Sequence, residues 1–100
     1  MRGLQAEGGA LVWQEQAAET LQPGQVRVKV MAAGLNRADL LQKAGMYPPP
    51  AGVTSVLGLE CAGQVVEVAE GTRWKVGDRV CALLAGGGMA DEVVVDERHL

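Results

Sequence analysis

The sequence predicts a mainly β domain, either a sandwich or a small barrel, interrupted by one short helix. Apolar and polar residues alternate in several short segments, which is the period of a strand with one buried face. Fourteen glycines and four prolines separate those segments with turns. The 100 residues, 48% of them hydrophobic, suit one small domain. Because only three aromatic residues occur, the core has to consist of valine, leucine and alanine.

Five segments are predicted as strands. The clearest comprises residues 25–31 and reads QVRVKVM, in which every second residue is a valine. A weaker first strand comprises residues 11–15, since only Leu11 and Trp13 share one face. The remaining three strands are predicted at residues 64–69, 79–84 and 92–95. Many short strands joined by frequent turns favour a sandwich or a barrel.

The stretch GLNRADLLQKAGMYPPP, residues 34–50, does not follow the period of two and predicts one short helix near residues 36–44. Asn36 is a favourable N-cap residue, and Asp39 three positions later supports the first turn as in a capping box. Gly45 is placed to end the helix. Three apolar residues with helical spacing are expected to pack against the sheets: Leu40, Leu41 and Ala44.

Charge and hydropathy argue against several classes of partner. The net charge is −3 and no run of lysine or arginine occurs, whereas nucleic-acid and anionic-membrane surfaces need clustered positive charge. No apolar run approaches the ~18 residues that a membrane span needs. Residues 1–16 lack the uninterrupted apolar stretch of a secretion signal. We therefore expect a cytoplasmic protein that binds neither nucleic acid nor membrane.

Cys61 and Cys81 are predicted to be free thiols, because two cysteines are too few for a disulfide scaffold and no closely spaced zinc ligands surround them. Both lie in or beside apolar strands, so we expect both to be buried and unreactive. The single histidine, His99, stands one residue from the end of the sequence, and we expect no catalytic role for it.

Two glycine-rich stretches invite assignment as phosphate-binding loops and fail the test. In residues 86–91 the third glycine of the dinucleotide fingerprint is Asp91, and a strand follows where a helix is required. Residues 58–63 have the spacing of a P-loop but lack its lysine and hydroxyl residue. Both stretches are predicted to be tight turns with close backbone approach, and no nucleotide-phosphate loop is expected.

Three stretches carry a resemblance to a known family: GLNRADLLQKAGMYPPP, GLECAGQVVEVAEG and VGDRVCALLAGGGMADEVVV. In this order and spacing they resemble the N-terminal part of medium-chain dehydrogenase/reductases, above all the quinone oxidoreductase branch with the p53-inducible quinone reductases. The resemblance implies that residues 1–100 form a GroES-like, partly open β-barrel catalytic domain that is incomplete by itself. It also implies a following Rossmann domain, absent from this chain, that binds NADPH beside a substrate cleft.

The chain departs from the zinc-dependent members of that superfamily at two positions. The resemblance aligns Asn36 with a cysteine ligand of the catalytic zinc and Leu59 with a histidine ligand. An amide and a leucine cannot replace a thiolate and an imidazole, which leaves Glu60 a structural role. The loop of a second, structural zinc is also absent. We therefore expect no zinc, and substrates such as quinones that accept hydride without a Lewis acid.

The resemblance implies roles for three residues. Asn36 is expected beside the nicotinamide ribose, and a plain N-cap role remains the structural alternative. Tyr47 is expected to line the quinone cleft, and its alternative is packing against the prolines that follow it. Asp39 is expected either to cap the helix or to contact the residues that bind the cofactor without binding it directly. It is not expected to act as an acid catalyst.

The resemblance therefore predicts a portion of an NADPH-dependent, zinc-independent quinone oxidoreductase that forms a homo-oligomer and acts on a quinone or another small carbonyl or enone substrate. Two alternatives stay open, an enoyl or enone reductase of the same superfamily and a non-catalytic interaction module or fragment. The 100-residue chain alone is expected to be inactive, because no glycine cluster in it can bind a pyrophosphate.

Overall fold

The computed structural model describes residues 1–46 and 48–100, and over these residues it is mainly β with one α-helix. The strands are β1 Arg2–Glu7, β2 Ala10–Glu15, β3 Gln25–Ala33, β4 Glu60–Val68, β5 Arg79–Leu83 and β6 Glu92–Asp96. The helix is α1 Arg37–Lys43, and a 3₁₀ helix Glu97–His99 follows β6. No described helix is long and apolar enough to cross a membrane.

The first two strands form an antiparallel hairpin, of which the sequence predicted only the second strand. Gly8 and Gly9 have φ values of 59° and 81°, as a two-residue hairpin turn of the mirror-image type requires. This glycine pair was the missed signal. The Leu4 N–H donates to the Met89 carbonyl, and the Leu57 N–H donates to the Leu4 carbonyl, both at 2.9 Å, so the hairpin is anchored to two loops.

The other four strands form one antiparallel sheet in the order β5-β4-β3-β6. Val26 and Val28 are 0% exposed, which confirms the alternation predicted for β3. The core around them is completed by Cys61, Val65, Val80, Ala82, Val93 and Val95. β4 begins at Glu60, earlier than the predicted residue 64, because the small residues of its first half carry little hydrophobic signal yet still pair with β5.

The sheets are open and do not close into a barrel, which agrees with the predicted partly open GroES-like architecture. β5 and β6 lie at the two edges of the four-stranded sheet. Large apolar side chains remain exposed near one end of that sheet, among them Met31 at 72% and Leu83 at 71%. The packed core therefore lies on one side of the four-stranded sheet, and apolar side chains stay exposed near one end of the sheet.

Helix α1 has the predicted N-cap, Asn36, and ends near the predicted Gly45, whose φ is 75°. The predicted inward face is wrong for two of its three residues, because Leu40 is 54% exposed and Ala44 is also exposed, whereas Leu41 is half-buried. Asp39 is buried instead, at 2% exposure. The Asp39 carboxylate accepts the Asn36 backbone N–H, and contacts of Gln42 with Ser55 and of Lys43 with Gly9 hold the helix in this orientation.

Candidate functional site

Asn36 links the start of α1 to the start of β4. Its backbone N–H donates to Asp39 Oδ2 at 2.8 Å, and its side-chain Nδ2 donates to Glu60 Oε2 at 3.3 Å. Asn36 is half-buried and Glu60 is exposed. The structure therefore brings the two predicted cofactor residues together and adds Glu60 to them.

Gly34 explains how the Glu60 carboxylate reaches this position. A Cβ at Gly34 would lie 2.4 Å from Glu60 Oε1 and 2.6 Å from its carboxyl carbon, closer than real Cβ contacts allow. The Gly34 N–H also donates to the Glu60 carbonyl at 3.3 Å, which holds the end of β3 beside the start of β4. Sequence reasoning assigned Glu60 only a structural role, and the glycine two residues before the N-cap was the available signal for its contact with Asn36.

Asp39 stabilises the helix start from inside the fold. Its Oδ2 accepts the cap hydrogen bond, whereas its buried Oδ1 has no hydrogen-bond partner among the described residues. The capping role predicted for Asp39 is confirmed. The role of either Asn36 or Asp39 toward a cofactor stays a prediction.

A shallow groove of about 290 Å³ lies beside Glu60. Apart from Glu60 it is lined by small residues, namely Ala32, Ala33, Gly34, Cys61, Ala62, Cys81 and Ala82. A second groove of about 480 Å³ shares Ala62 and Cys81 with it and extends to Met31 and Arg79. Together they offer an open, largely apolar wall with the Glu60 carboxylate at one end, which suits a flat molecule with a polar edge.

The two cysteines have opposite environments. Cys61 is buried as predicted, but Cys81 is exposed, so the prediction for Cys81 is wrong. The register pairs Cys61 with Ala82 and Ala62 with Cys81, and neighbouring positions along a strand point to opposite faces. Burial raises the pKa of the Cys61 thiol, and the nearby Cys81 raises it further. Cys81 is therefore the exposed thiol beside the grooves, whereas Cys61 belongs to the core.

The two glycine-rich stretches pack against each other. The backbone N–H groups of Gly87, Gly88 and Met89 donate to carbonyls of residues 56–58 at distances from 2.8 to 3.1 Å. A Cβ at Gly58, whose φ is +113°, would lie 2.5 Å from the Met89 nitrogen. The predicted close backbone approach is confirmed. Because these amides already have partners, they do not cradle a pyrophosphate.

Tyr47, the predicted residue of the substrate cleft, lies outside the described residues, and its role stays a prediction. Two contacts fix the helix that precedes it. The Lys43 ammonium donates to the Gly9 carbonyl at 2.8 Å, and the Gln42 side chain donates to the Ser55 carbonyl at 3.1 Å. His99 is exposed in the 3₁₀ helix.

The predicted absence of zinc rests on the identity of the donors. Asn36 engages Glu60 through its amide, and Leu59 offers no donor atom. Over residues 1–46 and 48–100, no group of three histidine, cysteine, aspartate or glutamate side chains is arranged to hold a metal ion. Zinc independence itself stays a prediction.

The family match and the similar proteins all point to the same family. Residues 22–100 match the family described as the alcohol dehydrogenase GroES-like domain. The chain is 50% identical over 72 residues to the polyketide synthase GfsB of Streptomyces halstedii, covering 71% of this chain and 1% of that protein. It is 46% identical over 78 residues to a quinone oxidoreductase of Pseudomonas aeruginosa, covering 75% of this chain and 24% of that protein.

The solved structure of CurK enoyl reductase has a TM-score of 0.84 and 32% identity, and the match covers 98% of this chain and 33% of that one. The predicted GroES-like domain of the medium-chain dehydrogenase/reductase type is confirmed. The chain spans 1% of the length of GfsB and about a quarter of the length of the Pseudomonas enzyme. It therefore corresponds to one part of these larger proteins.

Proposed function

Because the chain belongs to the alcohol dehydrogenase GroES-like domain family, we propose that it is the N-terminal catalytic-domain portion of an oxidoreductase that transfers hydride from NADPH to quinones without zinc. The observation that carries the proposal is the pairing of the Asn36 amide with Glu60 beside an apolar groove. By the family resemblance, a zinc enzyme of this superfamily has a thiolate ligand at the position of Asn36. The similarity to a quinone oxidoreductase supports the choice of substrate class.

The residues of this chain contribute orientation and an apolar wall. NADPH, when bound, supplies the hydride. Asn36 holds the nicotinamide end through its amide, and the wall of small residues beside it lets a flat quinone ring lie against the sheet. Hydride addition and a proton from water convert the quinone to an aromatic hydroquinone. Asp39 stabilises the helix terminus on which Asn36 stands.

The cofactor's pyrophosphate belongs to a Rossmann domain in a longer polypeptide, and we propose that the 100-residue chain alone neither binds NADPH tightly nor reduces quinones. The occupied backbone amides of residues 87–89 support this division. Calorimetric titration with NADPH and a quinone reduction assay test it, performed on the chain and on the full-length polypeptide. Micromolar affinity or turnover by the chain alone would place the cofactor site within these residues.

An enoyl or enone reductase of the same superfamily is the alternative, and the similarity to CurK enoyl reductase favours it. Rates of the full-length polypeptide on 1,4-benzoquinone and on a crotonyl thioester separate the two activities. The proposal requires the higher kcat/KM on the quinone. No turnover of either substrate would support a non-catalytic module instead.

The absence of zinc has its own test. Elemental analysis of the full-length polypeptide is expected to find less than stoichiometric zinc, with activity unchanged after exposure to a chelator. One zinc per chain at a defined site would contradict the metal-free mechanism. We further propose a cytoplasmic homo-oligomer that binds no nucleic acid, and light scattering of the purified polypeptide tests the oligomeric state.

A further inference from the structure

We propose that Glu60 is a positioning residue for Asn36: it fixes the orientation of the Asn36 amide so that one amide N–H stays available to an acceptor oxygen of a ligand. The identity of that ligand, the nicotinamide end of NADPH, rests on the proposed function. The orientation of the amide rests only on the contacts between Asn36, Glu60 and Gly34.

The Glu60 carboxylate determines which end of the Asn36 amide faces it. An ionised carboxylate only accepts hydrogen bonds, so the amide nitrogen lies toward Glu60 at 3.3 Å and the amide oxygen lies away from it. The backbone N–H of Asp39 donates to the Asn36 backbone carbonyl at 3.0 Å, and the Asn36 side chain makes no cap hydrogen bond to the helix. With one amide N–H directed to Glu60, the second N–H is the remaining donor.

Gly34 makes this arrangement sterically possible. The nearest atoms to a Cβ at this residue would be three atoms of the Glu60 side chain, at 2.4 to 2.7 Å. Gly34 does not have a positive φ, so its role is space and not backbone conformation. A methyl group there would displace the Glu60 carboxylate while leaving the backbone hydrogen bonds of β3 and β4 in place.

The groove beside Glu60 is where a ligand acceptor for the remaining Asn36 N–H could bind. Glu60 and Gly34 both line it, and its other walls are alanine and cysteine side chains that offer no strong donor. Asn36 does not itself line the groove, but its amide nitrogen lies 3.3 Å from the Glu60 carboxylate at this end. A ligand oxygen bound beside Glu60 would therefore have the remaining N–H of Asn36 as a donor. A hydroxyl or carboxamide oxygen of a nicotinamide nucleoside has this chemistry.

The first experiment reads the amide without any ligand. Asn36 is the single asparagine among residues 1–100, so selective asparagine ¹⁵N labelling gives one side-chain NH₂ signal from this domain. In the full-length polypeptide we expect a high NMR order parameter for this NH₂ group. The order parameter should fall in Glu60→Ala and stay high in Glu60→Gln, because the glutamine side-chain oxygen still accepts the hydrogen bond. Equal order in wild type and Glu60→Ala would overturn the positioning role.

The second experiment measures NADPH affinity. We expect Glu60→Ala to raise the Kd about tenfold, the effect of one lost hydrogen bond of about 1.4 kcal/mol. Glu60→Gln should stay within about twofold of wild type. Gly34→Ala should raise the Kd as much as Glu60→Ala, and the double variant no further, because both changes remove the same contact. Additive effects would show that Gly34 acts independently and would overturn that part of the proposal.

A polarity exchange separates positioning from recognition. Asn36→Asp places two carboxylates side by side, and adding Glu60→Gln restores a hydrogen bond with donor and acceptor reversed. We expect the double variant to regain the melting temperature lost in Asn36→Asp but to keep weak NADPH binding, because a carboxylate offers no N–H. Recovery of affinity would overturn the donor role of Asn36.

The failure of the proposed function gives a different pattern. If the wild-type polypeptide bound no NADPH while the NH₂ order still depended on Glu60, the choice of cofactor would be wrong and the positioning role would stand. If NADPH bound equally to wild type, Glu60→Ala and Gly34→Ala, the cofactor would stand and the positioning role would be wrong.

Discussion

In the four-stranded sheet the valines point inward, whereas in α1 a carboxylate points inward and a leucine points out. Val26 and Val28 are fully buried, and Asp39 is nearly so, at 2% exposure, beside a Leu40 that is 54% exposed. The two regions belong to one domain and have comparable local sequence signals. The difference therefore lies in what each region packs against.

Each strand of the sheet finds its neighbours within the chain, so burial follows the alternation of its own residues. Helix α1 is seven residues long, and its orientation is set by polar contacts at its two ends. Asp39 binds the Asn36 N–H at the start, and Lys43 binds the Gly9 carbonyl near the end. In a helix this short, end contacts outweigh the burial of one leucine, and Leu40 remains exposed.

The largest loss of stability is expected in the sheet at Gly63. There β3 and β4 approach so closely that a Cβ would lie 2.1 Å from the Lys29 carbonyl oxygen. We expect Gly63→Ala to lower the free energy of unfolding by about 4 kcal/mol or more, because backbone atoms cannot move aside. Gly71→Ala is the control: it has φ +86° and open space around it, so it should cost only about 1 kcal/mol. Equal losses in urea unfolding would mean that the sheet tolerates the methyl group.

Two leucines differ in burial, and this difference predicts different effects on stability. Leu57 is 2% exposed and Leu40 is 54% exposed. We expect Leu57→Ala to lower the free energy of unfolding by about 2–5 kcal/mol, and Leu40→Ala to change it by less than about 0.5 kcal/mol. Chemical denaturation of both variants measures this. A large loss in Leu40→Ala would show that the helix face is covered in solution.

The sequence was sufficient for most of the fold because the strands carry the alternation that decides their burial. It missed β1, whose residues do not alternate regularly, and it placed the start of β4 too late, since Ala62 and Gly63 contribute little apolar signal. The orientation of α1 was not predictable from helical spacing. It depends on contacts with Gly9 and Ser55, which are distant in sequence.

The candidate site was predictable only in part. Asn36 and Asp39 followed from capping rules and from the family resemblance, and their proximity is local. The contact of Asn36 with Glu60 spans 24 residues and requires the sheet to form first. The exposure of Cys81 required the register of β4 against β5, which composition does not contain.

Two aspartates accept the backbone N–H of the residue three positions earlier, one in a buried position and one at the surface. Asp39 Oδ2 accepts the Asn36 N–H at 2.8 Å in a buried position, and Asp78 Oδ2 accepts the Lys75 N–H at 2.9 Å at the surface. We expect Asp39→Ala to cost about 1–2 kcal/mol, because the freed N–H is shielded from water. Asp78→Ala should cost about 0.5 kcal/mol, since water replaces the carboxylate. Similar melting temperatures for the two variants would contradict the shielding.

The smallest effect concerns the two thiols of neighbouring strands. Cys81 is exposed, and Cys61 is buried with its pKa raised by desolvation. At neutral pH we expect Ellman's reagent to modify one thiol quickly and the second only on unfolding. Cys81→Ser is expected to abolish the fast phase, and Cys61→Ser to leave it unchanged.

The raised pKa of Cys61 also gives the fold a dependence on pH. The buried thiol stays protonated in the folded state to a higher pH than in the unfolded chain, so its contribution to stability is complete at neutral pH. That contribution is lost as alkaline pH approaches the raised pKa, because the unfolded thiol ionises first. We therefore expect the free energy of unfolding to fall more steeply with alkaline pH in wild type than in Cys61→Ala, while Cys81→Ala stays close to wild type because burial is the larger cause of the raised pKa. Parallel pH profiles for all three proteins would place the Cys61 thiol in contact with water.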